Sequence, residues 1–353
     1  MRSRRHTLAV GLAVAYSLAL LGDQMLYVFL PSHPAAAGIT TASLGLVLSA
    51  NRIVRLAANS LAGLLSDRLG RRRPYLLGMV LAVVSTAGYL ASDSLWPLLL
   101  SRVLWGIAFS LLAVGGVAIM LDHSTDADRG RTVGTYQSLL QLGTLLGLVL
   151  SGFLTDLLGY RGTLMIYVPL AALGLGAAIW VLRDGDLSHA HPARFETGTL
   201  LGTLAALRRL DPRLLAPAYV CFATHFAGSG VVMATLGIYL KSLGATAWLL
   251  PVASLTGILL AVRRLAGMVT APIAGYLMDR FGDRRIVAAA GVLVILAGFV
   301  VLVAGRGVDL VIVGVGLLAV GEGFSQPAVV VWTGDGTPSH LRGVVMGGLS
   351  TAG

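Results

Sequence analysis

The sequence predicts an all-α polytopic membrane protein made of two pseudo-symmetric six-helix bundles. Three observations predict it. Of the 353 residues, 56% are apolar and only 12% charged, whereas a soluble domain carries about 25% charge. The apolar residues fall in runs of roughly 20, enough to cross about 30 Å of hydrocarbon as helices. Finally, residues 45–73 align without gaps to 257–285 at a constant offset of 212.

Spans are expected near 8–30, 41–66, 75–92, 97–121, 132–155, 162–182, 214–240, 249–278, 286–304 and 310–332, with an eleventh starting near 343. Arg2, Arg4, Arg5 and His6 precede the first run and Ala35-Ala36-Ala37 follows it, which also suits a signal peptide. That run is longer than an h-region of about 7–15 residues and belongs to an ordered series, so an uncleaved helix is expected. Connections are short except 183–213, which mixes Arg, Asp, His and Pro. It is the expected cytoplasmic linker between an N-terminal bundle, 1–182, and a C-terminal one, 214–353. Gln326-Pro327 is a candidate kink in the tenth span, where freed backbone groups help gating.

Basic residues set the orientation. There are 26, with Lys241 the only lysine. With the N-terminus inside, 18 fall on inner segments, only Arg161, Lys241 and Arg306 on outer ones, and Arg52, Arg55, Arg102, Arg263 and Arg264 within spans. A cytoplasmic N-terminus in a cytoplasmic (inner) membrane follows. The net charge of +10 sits in short clusters between apolar runs, so its partner is the lipid bilayer and not nucleic acid. The single cysteine, Cys221, excludes an internal disulfide and a cysteine metal cluster. No glycine-rich loop precedes Lys241, so no Walker A loop is present. There is also no His-Glu-x-x-His motif and no glycine-bounded serine elbow. Neither an enzyme nor a cofactor is expected, and the chain is expected to act as a monomer.

Within the repeat, Gly45, Leu48, Arg52, Ala62, Gly63, Leu65, Asp67, Arg68, Gly70, Arg72 and Arg73 recur as Gly257, Leu260, Arg264, Ala274, Gly275, Leu277, Asp279, Arg280, Gly282, Arg284 and Arg285. Membrane composition explains shared Leu, Ala and Gly; it does not explain the shared Arg, Asp-Arg and Arg-Arg. The offset spans six helices, so both halves enter the membrane from the same side, which is a transporter architecture.

The segment from Gly63 through Asp67, Arg68, Gly70, Arg71 and Arg72 to Arg73 resembles the loop 2–3 signature of the major facilitator superfamily. The segment holding Gly275, Asp279, Arg280 and Gly282 resembles its loop 8–9 echo. The resemblance covers the whole chain in topology. It implies a secondary carrier that works by rocking-type alternating access. In the family, the acid at the position of Asp67 locks the halves in the outward-facing state; here its expected partner is the helix starting near Gly343. Arg71 is expected to pair with Asp122 at the inner end of the fourth span. Gly63 and Gly70 are expected to allow close helix approach and a tight turn. The alternative is a plain cytoplasmic anchor.

Arg102 and Gly106 resemble the family's fourth-helix motif, whose arginine is linked to proton coupling. The offset carries Arg102 onto Gly314, so the second half lacks it; snorkelling to the interface is the alternative role. Gly134, Gly143, Gly147, Ser151 and Gly152 resemble the antiporter signature with Leu148 in place of proline, and also simply suit close packing.

Asn51, Arg52, Arg55 and Asn59 form one polar stripe on the second span, and Arg263 and Arg264 lie in the eighth. These six are the candidate substrate-binding residues, because guanidinium forks suit carboxylate, phosphate or another oxyanion. The repeat-related Arg52 and Arg264 resemble the arginine pair of the nitrate/nitrite porters, without their glycine-rich signatures. The alternative is structural pairing with Asp23 and Glu322. Those two acids are the candidate proton carriers, with Arg102 as a partner for Asp23; simple neutralisation of arginine is the other reading. His225 is read as a packed polar residue before a proton relay.

The leading expectation is proton-coupled efflux of a small organic solute. The runner-up is uptake or exchange of an organic or inorganic anion, and from another class a non-transporting sensor or inactive fragment. The first half ends near 182, and adding 212 gives 394, whereas the sequence stops at Gly353. Helix 11 is therefore expected to be incomplete and helix 12 missing, as in a fragment of a longer parent.

Overall fold

The computed structural model describes residues 2–124, 128–183, 215–244 and 250–335, and among them it is all helical. In chain order these are α1 (Arg2–Phe29), a 3-10 turn (Pro34–Ala37), α2 (Thr41–Leu69), α3 (Arg72–Ala91), α4 (Leu95–Asp122) and α5 (Arg129–Val181). There follow α6 (Leu215–His225), a π-helical segment (Phe226–Val232), α7 (Met233–Ser242), α8 (Val252–Phe281), α9 (Arg284–Ala304) and α10 (Val308–Asp335).

Eight of these stretches are long and apolar enough to cross a membrane. α2, with 29 residues, is long enough but is not among them, in keeping with its Asn51, Arg52, Arg55 and Asn59. α5 counts once, yet its 53 residues span about 80 Å at 1.5 Å per residue, more than twice a bilayer core. It breaks at Gly159, where φ is +71°, a conformation that costs a side-chain-bearing residue but not glycine. Adding α2 and the second leg of α5 brings the eight to ten spans at the expected places. The expected span from 343 and residues 184–213 of the linker lie outside the described residues.

The chain divides into two compact units, one of residues 1–197 with 251–257, the other of 198–250 with 258–353. In the first, α1 packs against α5, and α4 against both α2 and α3. α1 is largely buried, with Leu12, Ala13, Met25 and Leu26 fully enclosed, so it is an integral member of the bundle. In the second, α9 and α10 meet along glycines seven residues apart. A Cβ at Gly291 would lie 2.7 Å from the Gly321 carbonyl, and one at Gly298 would lie 2.9 Å from that of Gly314. Only backbone fits there, which is how apolar helices gain contact when lipid supplies no hydrophobic drive. Large apolar side chains such as Leu157 (78% exposed) and Val303 (84%) face outward, the inverse of a soluble surface.

Candidate functional site

The loop between α2 and α3 turns at Gly70, with φ +77° and ψ 165°, a region open essentially to glycine alone. The turn brings Arg71 back over the end of α2. Its Nη1 donates to Asp67 Oδ1 at 2.7 Å and its Nε to Asp122 Oδ2 at 3.0 Å, so one guanidinium joins the ends of α2 and α4. Burial opposes the charged form of Arg71, but the hydrogen bonds to Asp122 and Asp67 outweigh it and hold the guanidinium above its ordinary range. Arg68 is exposed and Arg72 half-buried. Gly63 does not make the expected close approach: a Cβ there, or at Gly275, would meet nothing among the described residues within 4 Å. The segment near Gly343, the expected partner of Asp67, lies outside them.

The second copy of the loop is not a replica. Gly282 turns with φ +70° like Gly70, but Asp279 and Arg280 are exposed. The position equivalent to Arg71 is Asp283, whose side chain caps α9 by accepting from the Arg285 N–H at 2.9 Å. In one unit this position clamps two helices; in the other it begins one.

Deep in the first unit, Arg102 is fully buried on α4 and paired with Asp23 on α1. Its Nη2 donates to Tyr27 Oη at 2.9 Å and its Nε to the Val47 carbonyl at 3.1 Å. Snorkelling is therefore not what this side chain does. One turn on, Gly106 admits α2, since a Cβ there would lie 2.7 Å from the Asn51 carbonyl. Asn51 is buried, and its Oδ1 lies 3.5 Å from Tyr27 Oη. Arg52, Arg55 and Asn59 are half-buried. The Arg52 guanidinium lies 6.0 Å from the Tyr27 ring centre, and that of Arg55 lies 4.4 Å from the Phe109 ring centre. These are cation–π distances.

In the second unit, Arg263 on α8 is buried and paired with Glu322 on α10. The π-helical segment brings Gly228 against this pair, so that a Cβ at Gly228 would overlap both Glu322 Oε1 and Arg263 Nη2. π turns are rare and concentrate at functional sites. Beside it, His225 Nδ1 lies 2.9 Å from Gln326 Nε2 and 3.0 Å from the Cys221 carbonyl. Arg264 is exposed. Of the six candidate substrate residues, Arg263 is thus committed to an acid. Tyr239 donates to the Leu302 and Gly305 carbonyls at 2.6 and 2.7 Å, and Arg285 covers the Trp332 ring, so both aromatic side chains serve packing.

One residue that sequence reasoning passed over is Asp156 on α5. Within the first unit it accepts from the Ser254 N–H at 2.6 Å and from Ser254 Oγ at 2.5 Å, satisfying an N-terminal donor of α8.

Helices that span a bilayer, a doubled loop signature and charges paired inside each unit define a helical membrane carrier. The chain belongs to the Major Facilitator Superfamily, whose family pattern matches residues 12–353. It is a multi-pass membrane protein of a superfamily of transporters, not of enzymes. It is 25% identical over 254 residues to the human (Homo sapiens) chromaffin granule amine transporter, covering 71% of this chain and 45% of that protein. It is 29% identical over 188 residues to the drug efflux pump JefA of Mycobacterium tuberculosis, covering 51% of this chain and 34% of that protein. The chain therefore spans less than half the length of these relatives. Among solved structures, it matches an inward-facing, unoccupied bacterial homologue of the human lysosomal transporter Spinster. That match has a TM-score of 0.82 and 14% identity, and covers all of this chain and 80% of that one; it speaks for the fold alone.

Proposed function

We propose that the protein is a secondary active transporter that moves a small organic solute out across the cytoplasmic membrane, in exchange for protons, by alternating access. The N-terminus is cytoplasmic in this reading, as the arginine distribution supports, and one chain suffices. The observation that carries it is that each unit holds one membrane-embedded acid paired with one arginine: Asp23 with Arg102 and Glu322 with Arg263. Protonating either carboxylate removes the charge that its arginine answers, and so couples proton occupancy to helix packing. In this scheme Asp67, Arg68, Arg71 and Asp122 are the gating residues of the first unit, and Asp279 and Arg280 those of the second. The likeness to a drug efflux pump supports the outward direction. Everted vesicles given an acid-inside gradient should accumulate fluorescent organic dyes, and a protonophore should abolish the uptake. Accumulation that ignores the protonophore would reject proton coupling. A second reading, carriage of an anion, is favoured by Arg55, which lies over the Phe109 ring with no ion pair to a carboxylate among the described residues.

A further inference from the structure

Five rings and charges in the first unit lie together on α1, α2 and α4. Phe109 is half-buried, and its ring meets Tyr16 edge-on at 6.2 Å and Trp105 edge-on at 6.4 Å. Arg55 covers the ring of Phe109 at 4.4 Å. A cation–π contact with a ring uses none of a guanidinium's N–H donors as hydrogen bonds to oxygen, so they stay available to an acceptor. The Nε of Arg55 is buried and has no hydrogen-bond partner. The acid nearest in kind, Asp23, is 5% exposed and held by Arg102. Arg52 sits three residues away on the same stripe, so two positive charges share one helix face, with the amide of Asn59 one turn further on. An ionised side chain in a membrane span is costly unless something answers it. The Nη1 and Nη2 groups of Arg102 are answered by Asp23, Tyr27 and the Leu48 carbonyl. Among the described residues no such set of hydrogen bonds surrounds Arg55.

We infer that Arg55, Phe109 and Tyr16 form a binding site for an aromatic monocarboxylate, the carboxylate on the edge of the Arg55 guanidinium and the ring against Phe109. The inference rests on the transporter reading and names the cargo class of its N-terminal half. Charge and ring contact select in opposite ways from an amine site: a protonated amine meets Arg52 and Arg55, while Asp23 on the neighbouring helix is already held by Arg102. A neutral aromatic keeps the ring contact and loses the charge-assisted bonds, which are roughly twice as strong as neutral ones.

The test uses benzoate, with benzamide and benzylamine as its neutral and cationic counterparts, titrated onto the purified protein in lipid nanodiscs. Benzoate should bind about tenfold or more tightly than benzamide, in line with a charged hydrogen bond, and benzylamine should not bind. In Arg55→Gln the preference for benzoate over benzamide should vanish, while Arg55→Lys should keep part of it. In Phe109→Leu the charge preference should remain but the advantage of benzoate over acetate should shrink. Equal binding of benzoate and benzamide, or a preference that survives Arg55→Gln in protein eluting as the parent does, would overturn the site. Transport is scored separately by the dye accumulation described above. A carrier that moves dyes but ignores benzoate loses the carboxylate site and keeps its function; one that binds benzoate but moves nothing keeps the site and loses the function.

Discussion

Arg102 on α4 reaches Asp23 on α1 with no solvent contact of its own, and the same guanidinium holds Tyr27 and two carbonyls of α2. Three helices of one bundle therefore meet on one charge. Removing one partner of a buried pair strands the other, which costs about 3–5 kcal/mol, whereas removing both can be nearly neutral. Arg102→Met should lower the melting temperature markedly. The double variant Asp23→Leu/Arg102→Met should regain most of that loss and yet lose proton-driven transport. If the double variant melts as low as the single, the pair is not the unit that matters. If it transports normally, the pair has no part in coupling.

Arg71 has two acceptors, Asp67 at 2.7 Å and Asp122 at 3.0 Å, and this redundancy separates folding from gating. Asp67→Asn leaves Arg71 paired with Asp122, so membrane insertion and the level of protein should stay near normal. Transport should fall by about tenfold or more, since one lost charge-assisted bond is worth about 1.5–3 kcal/mol. Arg71→Ala frees both acids and should reduce stability as well. The folded guanidinium is held above its ordinary range, so its contribution is complete at every pH below that range and is lost only as pH rises through the raised value. The ratio of Arg71→Ala to parent stability should therefore not change between mildly acidic and mildly alkaline buffers through this arginine. Undiminished turnover in Asp67→Asn would remove the gate role.

How much of this could be read in advance depended on what carried the signal. Spans follow from apolar runs, so their places are legible to within a few residues: α2 runs to Leu69 where 66 was expected. Pairs such as Arg71 with Asp122 are legible because charges are few and each sits at a helix end or inside a span. The clamp at Arg71 and the cap at Asp283 were not distinguished, because the repeat drew attention to identities and the difference sits between them. Gly63 misled for a similar reason: a glycine in a signature was read as a close approach that no described residue makes. The π turn at 226–232 was invisible, since a shifted hydrogen-bond register has no composition of its own. The ring cluster around Arg55 needed three helices to be placed first.

Gly228 offers a direct probe of that π turn. Any Cβ there overlaps Glu322 Oε1 and Arg263 Nη2, so the side chains must part or the segment must move. Overpacking of this kind costs about 1–3 kcal/mol, and the disturbed ion pair adds to it. Gly228→Ala should lower the melting temperature more than Gly230→Ala, whose added Cβ would meet nothing closer than 3.7 Å. Glu322→Ala is itself costly because it strands Arg263, but in that background Gly228→Ala should cost less than it does in the parent. Equal melting of the two glycine variants would mean that the backbone does not press on the pair.

Asp156 yields the last prediction because its partner is a backbone group. The carboxylate supplies from α5 what an N-cap residue would supply from within: an acceptor for the Ser254 N–H, reinforced by Ser254 Oγ, at a helix end where negative charge is favourable. The fit depends on small neighbours, since a Cβ at Gly152 would lie 2.7 Å from the Ala253 carbonyl. Loss of a cap costs about 0.5–2 kcal/mol. Asp156→Ala should fall in that range, and Asp156→Asn should cost less, because it keeps one oxygen for the N–H. Ser254→Ala removes only the hydroxyl bond, so a double-mutant cycle between Asp156→Ala and Ser254→Ala should show coupling smaller than the whole effect of Asp156→Ala. That remainder is the backbone bond, which no change at Ser254 can delete. Coupling equal to the whole effect would instead assign the contact to the hydroxyl, and Asp156 would be a side-chain partner of Ser254 with no capping role.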